Sequence, residues 1–78
     1  MKNPDKDFMT IGVVGRRNLN GVISTRREIV TMRKDCTPDQ VMMEIYRVME
    51  GFTDDLFWTI IRRNEIDSFM AQIDKFVV

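Results

Sequence analysis

The chain has 78 residues, 44% of them hydrophobic, and its 12 basic and 12 acidic side chains balance to a net charge of zero. This length fits one domain with a small core, and the ordinary balance of apolar and charged residues excludes a disordered chain. A single cysteine and the absence of histidine exclude an intrachain disulfide and a Cys/His zinc site.

The N-terminal residues 1–6 are polar, and we expect them to form a flexible end of one domain that spans residues 1–78. No apolar segment follows them that would make a signal peptide. No apolar run approaches the ~20 residues that a membrane helix needs. Together with the unpaired cysteine, these features predict a soluble protein of the reducing cytoplasm without a membrane partner.

A β-hairpin is predicted in the first half of the chain. Residues 8–14 are rich in residue types that suit a pleated strand. Residues 15–21 begin and end with glycine and contain an Asn-Gly step, which predicts a hairpin loop. The return strand is predicted over about residues 22–32. Its alternation is interrupted at residues 26–28, which indicates a bulge or an exposed edge.

The first helix has the clearest boundaries. Thr37 is a suitable N-cap, Pro38 suits the first helical position, and Gln40 completes a capping box. Gly51 predicts the end of the helix, because glycine adopts the left-handed conformation at little cost. The apolar residues of this helix cover an arc of roughly 160°, which is wider than one contact surface requires. We interpret the excess as a second contact surface.

The last third of the chain predicts a strand and a helix. Residues 56–61 are apolar with β-branched and aromatic members, which favours a strand that is buried on both faces. A helix over residues 53–63 is the alternative. Asn64 then predicts the start of an amphipathic helix that continues to Val77, with its apolar residues within an arc of about 120°.

The predicted fold is a small α+β domain with the order β-β-α-β-α. The simplest assembly is a three-stranded antiparallel sheet of order 2-1-3, with both helices on one face. The other face would then expose apolar residues of the first and third strands, which indicates a partner surface. We expect a homodimer through that face or through the methionine-rich side of the first helix. The interface residues that we expect are Met42, Met43, Tyr46, Met49 and Trp58.

Charge is unevenly distributed along the chain. Residues 10–34 carry a net charge of +5, and residues 35–78 carry a net charge of −5. Guanidinium groups bind phosphates, yet they also pair with acids of their own chain or lie on a solvated edge. The acidic isoelectric point of about 6.2 disfavours nucleic acid. The candidate residues for contact with a protein partner or with nucleic acid are Arg16, Arg17, Arg26, Arg27, Arg33 and Lys34.

The residue types that support catalysis are mostly missing. Cys36 lacks a histidine that would act as its base, and its expected role is to fill a gap in the packing. Asp54 and Asp55 lack the oxygen-rich loop spacing of a metal site. Residues 15–21 match neither phosphate-binding glycine motif. We therefore assign no catalytic, cofactor-binding or metal-binding residue and do not expect an enzyme.

These features favour a non-enzymatic, protein-binding accessory or regulatory protein. The profile is that of small phage proteins that occlude a host component, although this rests on association and not on a motif. The alternative is a nucleic-acid-binding protein that uses the basic hairpin over residues 16–34. A third and weaker hypothesis is a receptor for a small anion, such as a nucleotide, that arginines hold at a dimer seam.

Overall fold

A computed structural model describes residues 7–71 of the chain. In chain order, its elements are β1 (Phe8–Leu19), β2 (Val22–Arg33), α1 (Pro38–Val48), β3 (Asp55–Ile61), a 3-10 turn (Arg63–Glu65) and α2 (Ile66–Ala71). The strand predicted before the last helix is confirmed, and its helical alternative is not. The last helix follows a 3-10 turn instead of starting at Asn64. The predicted flexible end, residues 1–6, and the predicted continuation of the last helix, residues 72–77, lie outside the described residues.

The three strands form one antiparallel sheet in the order β2-β1-β3, which confirms the predicted α+β fold and strand order. Ile11 at the centre lies opposite Val30 on β2 and opposite Ile60 on β3. Directly opposed residues share a face, so odd-numbered β1 residues lie on one face and even-numbered residues on the other. The β1–β2 register is unbroken, so residues 26–28 form an exposed edge and not a bulge.

The hairpin is longer than the sequence predicts. Its strands are joined by two residues, Asn20 and Gly21, whose φ angles of 54° and 85° suit a type I′ turn. The predicted loop over residues 15–21 is wrong except at this step. A β-carbon at Gly15 would stand 2.3 Å from the carbonyl oxygen of Phe52 and 2.6 Å from Cε of Met49. Gly15 therefore marks a close approach inside a strand.

α1 packs on the face that contains Ile11, and its cap is the predicted one. The Gln40 N–H donates to the Thr37 hydroxyl at 3.2 Å, and the Thr37 N–H donates to the Gln40 side-chain oxygen at 2.9 Å. Gly51 follows the helix with a φ of 87°, as its predicted role requires. Such a cap stabilises a helix by about 1 kcal/mol. The buried core consists of Ile11, Val13, Val30, Val41, Ile45 and Met49.

α2 lies on the opposite face of the sheet. A β-carbon at Gly12, an even-numbered β1 residue, would stand 2.7 Å from Cε1 of the Phe69 ring. Arg27 of β2 is on the same face, with its guanidinium carbon 5.2 Å from the centroid of that ring. This corrects the expectation that both helices cover one face. Core side chains of α1 occupy the first face, and the missing side chain of Gly12 leaves a recess for the ring on the second.

Candidate interaction surface

Burial on the α1 face decreases toward β3. In one row across the sheet, Val30 is 5% exposed, Ile11 is 0% exposed and Ile60 is 61% exposed. In the next row, Val13 is 0% exposed and Trp58, opposite it on β3, is 43% exposed. α1 therefore covers β1 and the inner part of β2. On the α1 face of β3 it leaves Trp58 and Ile60 open, whereas Leu56 packs half-buried against the core.

The two sides of α1 differ in the strand that they approach. Glu44 and Arg47 line a shallow depression together with Met32 of β2, which places this side of the helix toward β2. Met43, on the outer side of the helix, lines this depression and also the one that contains Met42 and Tyr46. Tyr46 lies about 200° around the helix from Glu44. Tyr46, together with Met42 one turn earlier, therefore faces β3.

We call the combined area the α1–β3 surface and define it by Met42, Met43, Tyr46, Trp58 and Ile60. Met43 is 72% exposed, Tyr46 is 52% exposed, and Met42 is half-buried. Methionine and aromatic side chains are enriched in protein interfaces, and exposed apolar patches mark such sites. Four of the five interface residues predicted from the sequence belong to this surface.

Met49 is the exception and corrects the fifth expectation. It is 0% exposed, and its Cε reaches the position that a β-carbon on Gly15 would take. It follows Val41 and Ile45 at helical spacing and belongs to the core with them. Ile60 was not among the expected residues, because its apolar segment was predicted to be buried on both faces. The predicted strand order could have indicated the exposure of Ile60, since it makes β3 an edge strand.

Acidic side chains border the α1 part of this surface. Asp39 and Glu50 line a depression with Met43 and Arg47. The Arg47 guanidinium donates to the Glu44 carboxylate. This hydrogen bond and the charge attraction hold the pKa of Glu44 below its ordinary 4.5 and raise the pKa of Arg47. Because Arg47 is compensated by Glu44, the border carries a net negative charge.

The hairpin arginines are distributed over both faces of the sheet. Arg17 and Arg26 lie on the α1 face, with their guanidinium carbons 4.8 Å and 5.9 Å from the centroid of the Phe52 ring. Arg26 also pairs with the Glu28 carboxylate at 2.9 Å. The strand register thus places Arg17 and Arg26 on one face, away from their chain neighbours Arg16 and Arg27, and brings both to one ring. Such a cation–π contact stabilises by about 0.5–1 kcal/mol at an exposed site.

Two further arginines occupy the α2 face. Arg27 stands over the Phe69 ring, and Arg16 lies in register with Asp55 at the start of β3. Both are on the opposite side of the sheet from Arg17 and Arg26, because neighbouring strand residues alternate between faces. These four arginines therefore do not converge on one binding group.

Arg33 and Lys34 lie at the other end of the hairpin. Arg33 pairs with Asp35 at 3.3 Å, and its guanidinium carbon is 5.9 Å from the centroid of the Phe8 ring. Nine residues of extended strand, about 30 Å, separate it from the level of Arg17. The six basic residues singled out by sequence therefore do not converge on a single anion-binding group.

The hairpin tip is an apolar feature that sequence reasoning missed. Leu19, Val22 and Ile23 are all exposed. β3 pairs with β1 only as far as Arg16, so the tip extends beyond the third strand. The sequence predicts a loop over residues 15–21 and a strand only from about residue 22, whereas the two-residue turn makes this region a projecting two-stranded ribbon.

Other chemical features are sparse among residues 7–71. Cys36 is a free, half-buried thiol. Within this described range, no group of three or more His, Cys, Asp or Glu side chains is placed to hold a metal ion. Neither described helix has the length and apolar character needed to cross a membrane.

Comparisons with known proteins add no further constraint on the α1–β3 surface. The chain matches no protein-family model, and neither the curated proteins nor the solved structures gave a match. Function is therefore inferred from exposure, charge and strand order.

Proposed function

We propose that this chain is a non-enzymatic protein-binding module that acts by occupying the surface of a partner protein. The α1–β3 surface carries this proposal, because Trp58 and Ile60 on β3 and Met43 and Tyr46 on α1 all stay exposed. Burying apolar surface stabilises a complex by about 25 cal/mol per Å² before the costs of association. Tryptophan and tyrosine are also the residue types that most often anchor interfaces.

The border of the surface specifies the chemistry of the partner. Asp39 and Glu50 carry negative charge next to Met43. A partner with an apolar patch and lysine or arginine at its rim complements this arrangement. Such complementarity raises the association rate and selects the orientation more than it raises affinity.

Nucleic-acid binding by the hairpin over residues 16–34 is the second candidate. Its projecting apolar tip favours it, because arginine-flanked ribbons with apolar tips enter grooves of duplex DNA. Against it, Arg17 and Arg26 contact the Phe52 ring of their own chain, and Arg26 also pairs with Glu28. We therefore place protein binding first.

Capture from a lysate of the native host tests the proposal with a matched pair of variants. Met43→Lys places a charge in the α1–β3 surface, and Met70→Lys places the same charge on an exposed methionine of α2. The tagged full chain and both variants are compared with and without nuclease, and captured proteins are identified by mass spectrometry. We expect one stoichiometric protein with the wild type and Met70→Lys in both conditions, and its loss with Met43→Lys.

Two outcomes would contradict this expectation. Capture that Met43→Lys leaves intact would place the binding surface elsewhere. Capture that nuclease abolishes would instead favour nucleic-acid binding by the hairpin over residues 16–34. The affinity for nucleic acid would then fall steeply as the salt concentration rises.

A further inference from the structure

The outer edge of β3 has no partner strand among residues 7–71. In an antiparallel ladder, the N–H and C=O groups of successive residues point to opposite neighbours. The hairpin turn closes on the pair Leu19 and Val22, and at the far end the Lys34 N–H donates to the Asp7 carbonyl at 3.0 Å. Odd-numbered residues of β1 therefore bond to β2, and even-numbered residues bond to β3.

The same alternation identifies the β3 groups that point outward. Gly12 lies opposite Thr59, and Val14 lies opposite Phe57. Odd-numbered residues of β3 therefore bond to β1, and the backbone groups of even-numbered residues point away from the sheet. These outward residues are Leu56, Trp58 and Ile60.

Apolar side chains accompany this edge on both faces. Trp58 and Ile60 are exposed on the α1 face, and Phe57 is exposed on the α2 face. Between Asp55 and Arg62 the chain has no charged residue, proline or glycine. Those residues are the usual means by which edge strands resist pairing, so β3 is suited to adding another strand.

The charges at the two ends of β3 identify that strand. Asp54 and Asp55 precede the apolar segment, and Arg62 and Arg63 follow it. An antiparallel copy brings the acidic end of each strand beside the basic end of the other, twice by symmetry, whereas a parallel copy brings like charges together. We propose that β3 pairs antiparallel with β3 of a second copy, which joins two sheets into one of six strands.

Symmetry restricts the register of this pairing. A two-fold axis perpendicular to a continuous sheet keeps each face on its own side, so residues of like parity lie opposite each other. The register centred on Trp58 pairs the whole of Asp55–Ile61 and sets Asp54 opposite the partner's Arg62. Trp58 then lies opposite the partner's Trp58, with about 5.5 Å between their Cα atoms.

The dimer also changes the α1–β3 surface. Both α1 helices lie on one face of the six-stranded sheet, on either side of the paired Trp58 side chains. Tyr46 and Met42 of each copy then border a shared apolar trough. The dimer does not depend on the proposed function. Only the binding of a partner protein in this trough rests on the proposed function.

Sedimentation and amide exchange of the full chain test the dimer without any substitution. We expect a mass of twice 9.2 kDa. In the dimer, the amides of Leu56, Trp58 and Ile60 exchange as slowly as those of Phe57 and Thr59, and dilution accelerates only the first three. A monomer at all concentrations up to ~1 mM, or fast exchange at those three amides within a dimer, overturns the proposal.

Charge reversal tests the register. Asp54→Arg and Arg62→Asp each set like charges opposite one another, and we expect each to raise the dimer Kd about tenfold or more. The double variant restores an opposite pair and is expected to recover the dimer. Asp67→Arg is the matched control for Asp54→Arg, since it makes the same charge change at an exposed position of α2, whose strand contacts are mainly with β2.

The outcomes distinguish this proposal from the proposed function. A double variant that does not recover, or an equal loss in Asp67→Arg, overturns the register. Asp54 also accepts a hydrogen bond from the Asn18 N–H at 2.7 Å, so its replacement can disturb folding. If a variant does not fold, the amide exchange of the wild-type chain alone tests the dimer. Met43→Lys is expected to leave the dimer intact, so loss of the protein partner and loss of the dimer are separate results.

Discussion

The two outer strands flank the same central strand, yet their edges differ in chemistry. β2 carries Arg26, Glu28 and Arg33 along its length, and the first two form an ion pair. β3 has no charged residue between Asp55 and Arg62. Charged side chains on an edge hinder its pairing with another sheet. Charged side chains therefore hinder strand pairing at the β2 edge of the sheet, whereas the β3 edge lacks them and can pair with another strand.

α1 repeats this asymmetry above the sheet. Its β2 side carries the Glu44–Arg47 ion pair, and its β3 side carries Met42 and Tyr46. The polar side of α1 therefore lies above the charged strand β2, and its apolar side lies toward the apolar strand β3. Because helix and sheet are both apolar on the β3 side, that side is the candidate for contact with other chains.

The largest expected effect compares two isoleucines in one row of the sheet. Ile11→Ala is expected to lower the free energy of unfolding by about 2–5 kcal/mol, because it opens a cavity in the core. Ile60→Ala is expected to change it by less than about 0.5 kcal/mol in the dilute monomer. Urea denaturation at low protein concentration measures both. Equal losses would mean that β3 is covered as fully as β1, and the comparison would fail.

A smaller effect is expected at the two glycines of β1. Gly15→Ala forces the Phe52 carbonyl to move, since the new β-carbon would stand 2.3 Å from it. We expect a loss of about 1–3 kcal/mol, with faster amide exchange on β3 and an unchanged β1–β2 hairpin. Gly12→Ala meets the end of the Phe69 ring, which can turn, so its loss should be smaller. A larger loss for Gly12→Ala would place the tighter constraint on the α2 side.

The smallest effect concerns the ion pair on the β2 side of α1. An NMR titration should find the pKa of Glu44 below 4.5, and Arg47→Gln should return it toward that value. Because the pKa is lowered in the folded state, the stabilisation is present above the unfolded pKa and is lost as pH falls through the folded one. Arg47 is exposed and Glu44 is only partly covered, so the stability change should be small and weakened by salt. An ordinary pKa for Glu44 in the wild type would show that the Glu44–Arg47 ion pair is not formed in solution, and the β2 side of α1 would then lose this polar feature.

The order of the elements could be predicted because it depends on local signals. The cap at Thr37 and the glycine at Gly51 bound α1, and the apolar run before Arg62 marks β3. The length of the hairpin could not be predicted in the same way. Gly15 looks like a turn residue in the sequence, and only its contact with Phe52 shows that it permits close packing.

The face chosen by α2 and the limits of the candidate site depend on distant contacts. An amphipathic pattern shows which side of a helix is buried and not which face of a sheet it covers, so the contact of Phe69 with Gly12 was not predictable. The same limit explains Met49, since a wide apolar arc does not reveal where the core ends. Trp58 was predicted as an interface residue within a strand buried on both faces, and its 43% exposure corrects that burial, because β3 is an edge strand.

The two-residue turn at Asn20 and Gly21 also has a consequence for the order of folding. It brings β1 and β2 together without closing a long loop, and hairpins of this kind form within about 1–10 μs. Thr10 and Ile61 pair across most of the chain, so β3 has to arrive later, at a higher entropic cost. In that interval the second edge of β1 is vacant, and β3 of another molecule can fill it. We therefore expect refolding yield to fall as chain concentration rises, through exchange of this one strand.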